Sequence, residues 1–200
     1  ELQVEKLILF EKLLKEWNNK INLVSRKDVE NFEVNHLLHS LSISKFIEFK
    51  KDTKILDLGT GGGLPGIPLS IFFPDSKFKL IDRKNKKINV LNEIIRKLGI
   101  NNASAQNIDI VDSNYNYDFI INRAVSSADN LIKLCEGKIN YIGENKIKNG
   151  IICLKGGNLT SELKNVDKFQ IVELKSFFSE QFFETKKILY IPNPYNHTDS

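Results

Sequence analysis

The densest chemistry in this sequence lies in the run Asp57-Leu-Gly-Thr-Gly-Gly-Gly-Leu-Pro-Gly66 and in Asp82 downstream of it. Glycines set directly after a buried strand let the backbone turn sharply and let a ligand approach main-chain N–H groups. Pro65 and Pro68 suit the first turn of a following helix, where a missing N–H costs little. A nucleotide-like ligand is the reading these residues support. Gly61, Gly63 and Gly66 satisfy G-x-G-x-x-G, and Asp82 follows about 20 residues on, as a dinucleotide-binding loop requires. Gly59-Thr-Gly61, with Asp57 inside the strand, suits S-adenosylmethionine better. That ligand has no pyrophosphate, and its amino acid end offers an acid something cationic to meet. In either register Asp82 would accept the ribose hydroxyls; its bland alternative is a helix N-cap.

The elements that must position this loop follow from periodicity. Lys54 to Leu58 reads as a strand, and Ile67 to Phe73 as the helix after the loop. Phe78 to Ile81 reads as a second strand closing on Asp82. Lys86 to Leu98 carries Ile88, Leu91, Ile94, Ile95 and Leu98 on one helical face, with Gly99 placed as a C-cap. Ala103–Ile108, Tyr117–Ile121 and Ile151–Leu154 read as further strands. The spacing predicts a helix over 127–142 and a closing antiparallel pair over 170–174 and 187–191. Upstream, residues 4–17 form an amphipathic helix. Ser25-Arg-Lys-Asp28 resembles a capping box that opens a helix through Phe32, Leu37, Leu38, Leu41 and Phe46. Strands alternating with helices predict an α/β fold, a mostly parallel Rossmann-like sheet with helices on both faces. The expected organisation is a helical N-terminal extension over 1–50, the cofactor-binding domain over 51–192, and a loose tail over 193–200.

Composition bounds the rest. The 200 residues are 41% hydrophobic and 27% charged, enough apolar material for a core, so wholesale disorder is excluded. The net charge of +4 permits an anionic partner such as RNA without demanding one. No leader pattern and no apolar stretch of membrane-spanning length is evident, so a cytoplasmic protein without membrane contact is expected. The sequence contains no Met, so a trimmed or otherwise incomplete chain is expected. Cys135 and Cys153 have no His or Cys partner at ligand spacing, so no metal is expected.

Beyond the loop run Ile55 to Leu69, Trp17-Asn, Asn22-Leu, His36-Leu-Leu-His-Ser-Leu41, Asn122-Arg-Ala-Val125 and Leu154-Lys-Gly-Gly157 fall in one order. Together they resemble the bacterial glucose-inhibited division protein B family over roughly Lys12 to Pro192. The resemblance implies a class I methyltransferase fold. It also implies methyl transfer from S-adenosylmethionine to guanine N7 in 16S rRNA, on that RNA or on the small subunit; separately, a monomer is expected. Carried over by motif, the cofactor contacts fall on Gly59, Leu64, Asp82 and Arg123, and the reading of the loop adds Gly61. The family's Arg-small-Glu segment has only Asn107-Ile108-Asp109 as counterpart, so Ile108 and Asp109 stand in for the adenine contacts. Arg26, His36 and Lys155 are the RNA-contact candidates. No catalytic acid or base is assigned, because N7 carries a free lone pair. His36 and His39 otherwise read as structural histidines, Arg123 as a partner for Asp118 or Asp129, and Lys155 as a solvated lysine. Two other functions fit parts of the pattern: an NAD-dependent oxidoreductase using the Gly61/Gly63/Gly66 register, and a non-catalytic RNA-binding module.

Overall fold

A computed structural model describes residues 1–25, 31–123 and 126–193. Seven strands form one sheet: β1 (Lys54–Leu58), β2 (Lys77–Ile81), β3 (Ala103–Gln106), β4 (Phe119–Arg123), β5 (Gly150–Gly156), β6 (Gln170–Glu173) and β7 (Lys186–Pro192). Their spatial order is β3-β2-β1-β4-β5-β7-β6. The first five are parallel, and β7 pairs antiparallel with both β5 and β6. The strand order reverses at β1, so the connections leaving β1 and β4 run to opposite faces and open a crevice beyond the carboxyl ends of the two strands.

Right-handed crossovers place the helices. The connections that build outward through β1, β2 and β3 carry α3 (Gly66–Phe72) and α4 (Asn85–Leu98). These pack on one face with α1 (Leu2–Asn18), where Phe10, Leu14, Ile67, Leu91 and Ile94 meet Ile55, Leu80, Phe119 and Ile121. On the opposite face α5 (Ala128–Leu134) brings Ala128 and Leu131 against Leu56, Ile120, Ile151 and Cys153. Alternate residues of each central strand thus feed two separate cores, as a period of two demands. Gly99 closes α4 in the left-handed conformation, at φ 59°, as its position predicts.

Two helices differ from expectation. The helix predicted over 127–142 ends at Leu134, because Gly137 turns left-handed at φ 68°. Residues 138–140 then run beside Tyr117, whose N–H donates to Lys138 O and whose carbonyl accepts from Asn140 N. The predicted helix through Phe46 is a composite. A π-helical segment, Glu33–Leu38, runs into α2 (His39–Leu41) and a 3-10 turn, Ser42–Lys45. A π turn takes more residues than an α turn, so the buried side carries His36, Leu37, His39 and Ser40, while Leu38, Leu41 and Phe46 are only half-buried. The capping-box residues 26–28 lie outside the described residues, as does the tail from 194 on.

Candidate functional site: a glycine loop between two cavities

The loop after β1 is built by its own hydrogen bonds. Thr60 N donates to Ile81 O, and Gly63 N and Leu64 N both donate to Thr60 O. Gly61 N reaches Asp82 Oδ2 at 3.0 Å, and Gly66 N reaches Asp57 Oδ2 at 2.9 Å. Asp57 also accepts from Thr60 Oγ1 at 2.5 Å. It is fully buried, its Oδ1 has no hydrogen-bond partner, and burial pushes its pKa up to about 6 despite the bonds from Thr60 and Gly66. The acid in the strand therefore braces the loop from behind. It lines neither of the cavities described below, which corrects the expectation that it meets a ligand's cationic end. Gly66 is required here for space: a Cβ would sit 2.6 Å from Asp57 Oδ2.

These bonds decide between ligands. A pyrophosphate needs the amides of the dinucleotide register, yet Gly61, Gly63 and Gly66 have all committed theirs to the protein. The oxidoreductase reading is accordingly not favoured. What the loop offers is Gly59, left-handed at φ 69°, on the wall of a cavity of about 410 Å³. Asp82, Ile108, Asp109 and Ser126 share that cavity. Asp82 Oδ1 accepts from Lys84 N at 2.8 Å, an Asx turn rather than the helix cap, which falls on Lys84 itself. With one backbone bond on each oxygen, the carboxylate keeps lone pairs for two more donors. Asn107 Nδ2 donates to Asp82 O at 2.8 Å and ties the segment after β3 to the same wall. Asp109 pairs with Arg83 at 2.5 Å.

The structure thus brings Gly59, Asp82, Ile108 and Asp109 together, with Gly61 attached through its amide. Leu64 and Arg123 stand apart from this cavity. Leu64 is buried in the core, and Arg123 faces a second, larger cavity of about 620 Å³. There Arg123 NH1 lies 2.8 Å from His36 Nδ1 and also reaches Asn35 O. A guanidinium only donates, so His36 Nδ1 is the acceptor and its imidazole carries the proton on Nε2. His39 lines the same cavity; burial, then the charges of Arg123 and Lys186, pull its pKa down to about 3, so it is neutral. Both histidines are buried, but they stand at the crevice and not far from it.

The alternative partners proposed for Arg123 are engaged elsewhere. Asp118 accepts from Lys54 N and Asn140 Nδ2, and Asp129 accepts from Asn165. Lys155 is not a solvated lysine. Its Nζ, on a side chain 9% exposed, donates to Ser126 O at 2.7 Å and pairs with Glu162 at 3.0 Å. Since Ser126 lines the smaller cavity and Lys155 the larger, this one side chain joins their walls. Arg26 lies outside the described residues. Ser126, Glu162 and Phe182 were not singled out by sequence reasoning. They reach the crevice from the connections after β4, β5 and β6, which no local pattern announces.

A sheet of this order, with an antiparallel seventh strand and a glycine loop at the point where the order reverses, defines a class I methyltransferase fold. Solved structures agree on the fold. A point mutant of MtNAS in complex with S-adenosylmethionine superposes with a TM-score of 0.59 at 14% identity, covering 96% of this chain and 77% of that one. Precorrin-6y C5,15-methyltransferase from Geobacter metallireducens GS-15 gives 0.57 at 12% identity, over 85% and 90%. Sequence comparison is closer. The chain belongs to the GidB family, rRNA small subunit methyltransferase G, whose model matches residues 3–188. A ribosomal RNA small subunit methyltransferase G from Christiangramia forsetii is 46% identical over 96% of this chain and 92% of its own length. One from Bacteroides thetaiotaomicron is 45% identical over 88% and 85%.

Proposed function

We propose that this chain transfers the methyl group of S-adenosylmethionine to N7 of a guanine in small-subunit (16S) ribosomal RNA, as a monomer in the cytoplasm. The observation that carries the cofactor is the loop whose amides are spent internally beside an acid with free lone pairs, a seat for a nucleoside without phosphate. Membership of the GidB family supports the RNA target. Among the described residues no helix is long and apolar enough to cross a membrane.

In this reading Asp82 accepts the ribose hydroxyls, Gly59 lets the nucleoside lie against the loop, and Ile108 and Asp109 border the adenine. When bound, the cofactor would supply an electrophilic methyl on a sulfonium, the sulfur leaving neutral and the positive charge passing to the guanine whose N7 lone pair takes the methyl. No proton need be removed first, so the residues of the crevice orient and do not act as bases. Orientation alone can supply about 7–11 kcal/mol of barrier lowering. Arg123, fixed by His36 and Asn35 O, sets the far wall against which the target must align. His36 and Lys155 line the larger cavity, which supports their assignment to the side that meets RNA.

The test is transfer of labelled methyl from S-adenosylmethionine to small ribosomal subunits or their rRNA, followed by nucleoside digestion. Label in 7-methylguanosine supports the proposal. Label in another nucleoside, or none with the protein folded and binding S-adenosylhomocysteine, refutes it. RNA binding without any transfer would instead establish the non-catalytic module.

A further inference from the structure

The larger cavity carries a charge pattern that the general need to hold RNA does not explain. Arg123, Lys155 and Lys186 line it, as expected where a polyanion docks, and so does Glu162, the single carboxylate among its described lining residues. Glu162 is 19% exposed at its side chain, and one of its oxygens is held 3.0 Å from Lys155 Nζ. Lys155 is itself fixed to Ser126 O. The carboxylate is thus held by a nearly buried cation and shares the cavity with Arg123. Phe182 gives the cavity an aromatic wall, with Lys186 Nζ 4.5 Å from its ring centroid.

An acid in a basic nucleic-acid site repels phosphate; the Glu162 oxygen that holds Lys155 leaves the carboxylate with acceptor capacity that the N–H groups of a base can use. Among the four bases only guanine presents two adjacent N–H donors, N1–H and N2–H2, which fit one carboxylate side by side. That edge lies across the ring from N7. Reading it leaves the N7 lone pair free, whereas donors aimed at N7 and O6, the commonest way proteins recognise guanine in duplexes, would tie up the attacking atom.

We infer that the cavity receives the unstacked target base and that Glu162, held by Lys155, selects guanine through its N1–H and N2–H2 edge. The inference rests on the proposed methyltransferase activity and names the specificity element of the same site. A base inside folded RNA must leave its stack to be reached, so a pocket with an aromatic wall beside the cofactor seat is what such a target requires.

The experiment compares small-subunit rRNA carrying guanosine or inosine at the methylated position, once mapped, with wild-type protein and Glu162→Gln. Inosine keeps N7 and N1–H but lacks the N2 amino group. Wild type should lose about tenfold or more in kcat/KM on inosine. Glu162→Gln should lose a similar factor on guanosine and no longer distinguish the two RNAs, with its S-adenosylhomocysteine affinity unchanged. A carboxylate that merely neutralises Lys155 would leave the guanosine-to-inosine ratio at the wild-type value in the variant, and that overturns the inference. So does a wild type indifferent to the N2 amino group. Should Glu162→Gln fail to fold, Glu162→Asp keeps the charge and withdraws the carboxylate from the base; it must also shrink the ratio. Absence of any transfer by wild type to the guanosine RNA would overturn the methyltransferase reading and this one with it.

Discussion

Asp82 offers the sharpest test of the cofactor seat. Its Oδ2 accepts from Gly61 N at 3.0 Å and its Oδ1 from Lys84 N at 2.8 Å, so a ligand's hydroxyls can use only the remaining lone pairs. Asp82→Asn changes one acceptor into an NH2 donor. That donor must face either a backbone N–H, loosening the loop, or the ribose, losing a ligand bond. A hydrogen bond to a charged group contributes about 1.5–3 kcal/mol, so the variant should bind S-adenosylhomocysteine roughly 10- to 150-fold more weakly. The residue is only half-buried, and losing one local backbone bond costs about 1 kcal/mol of stability, or roughly 2–4 °C in Tm for a chain of this size. Calorimetric titration gives the affinity and a thermal melt the stability. A dissociation constant within twofold of wild type would refute the placement of the nucleoside against Asp82. An affinity lost only in step with a collapse in Tm would make Asp82 a structural residue.

Further expectations follow from the same geometry. Gly66→Ala places a Cβ 2.6 Å from Asp57 Oδ2 and should cost about 1–3 kcal/mol by overpacking, read by urea denaturation, with cofactor affinity falling as the Asp57 brace is displaced. Asp57 and His39 act oppositely on stability against pH. Asp57, raised from 3.8 to about 6, contributes stability that is lost as pH rises through that window, about 3 kcal/mol in all. His39, lowered from 6.5 to about 3, contributes stability that is lost as pH falls from 6.5 towards 3. Asp57→Asn should therefore gain relative to wild type between pH 4 and 6, and His39→Leu should flatten the acid limb; denaturation at stepped pH distinguishes them. Both cysteines are fully buried, and burial pushes their thiols up, Cys153 to about 11, so neither should react with a thiol reagent until the protein unfolds.

Much of the cavity beside the glycine loop was legible because it is local. A strand, a glycine loop and an acid at the end of the next strand lie within one βαβ unit, and Asp57, Gly59 and Asp82 fall where that unit places them. The larger cavity was not legible in the same way. His36 and His39 reach the crevice only because the π-helical segment packs across the sheet's carboxyl edge to Arg123, 87 residues away in sequence. Glu162 follows β5 and acquires meaning only from its bond to Lys155, whose long stem reads as solvent-exposed in any sequence. Leu64 differs for the converse reason. The resemblance to the family carried it over as a cofactor contact, and its side chain is buried in the core. The helix over 127–142 failed at Gly137, where one left-handed residue lets the following segment pair with Tyr117 instead.

The proposed activity requires that a small-subunit rRNA guanine gain a methyl at N7 because this chain is present. Mapping 7-methylguanosine across the small-subunit rRNA of cells with and without the gene should reveal one position modified only when the gene is there. Identical maps from the two strains would contradict the account.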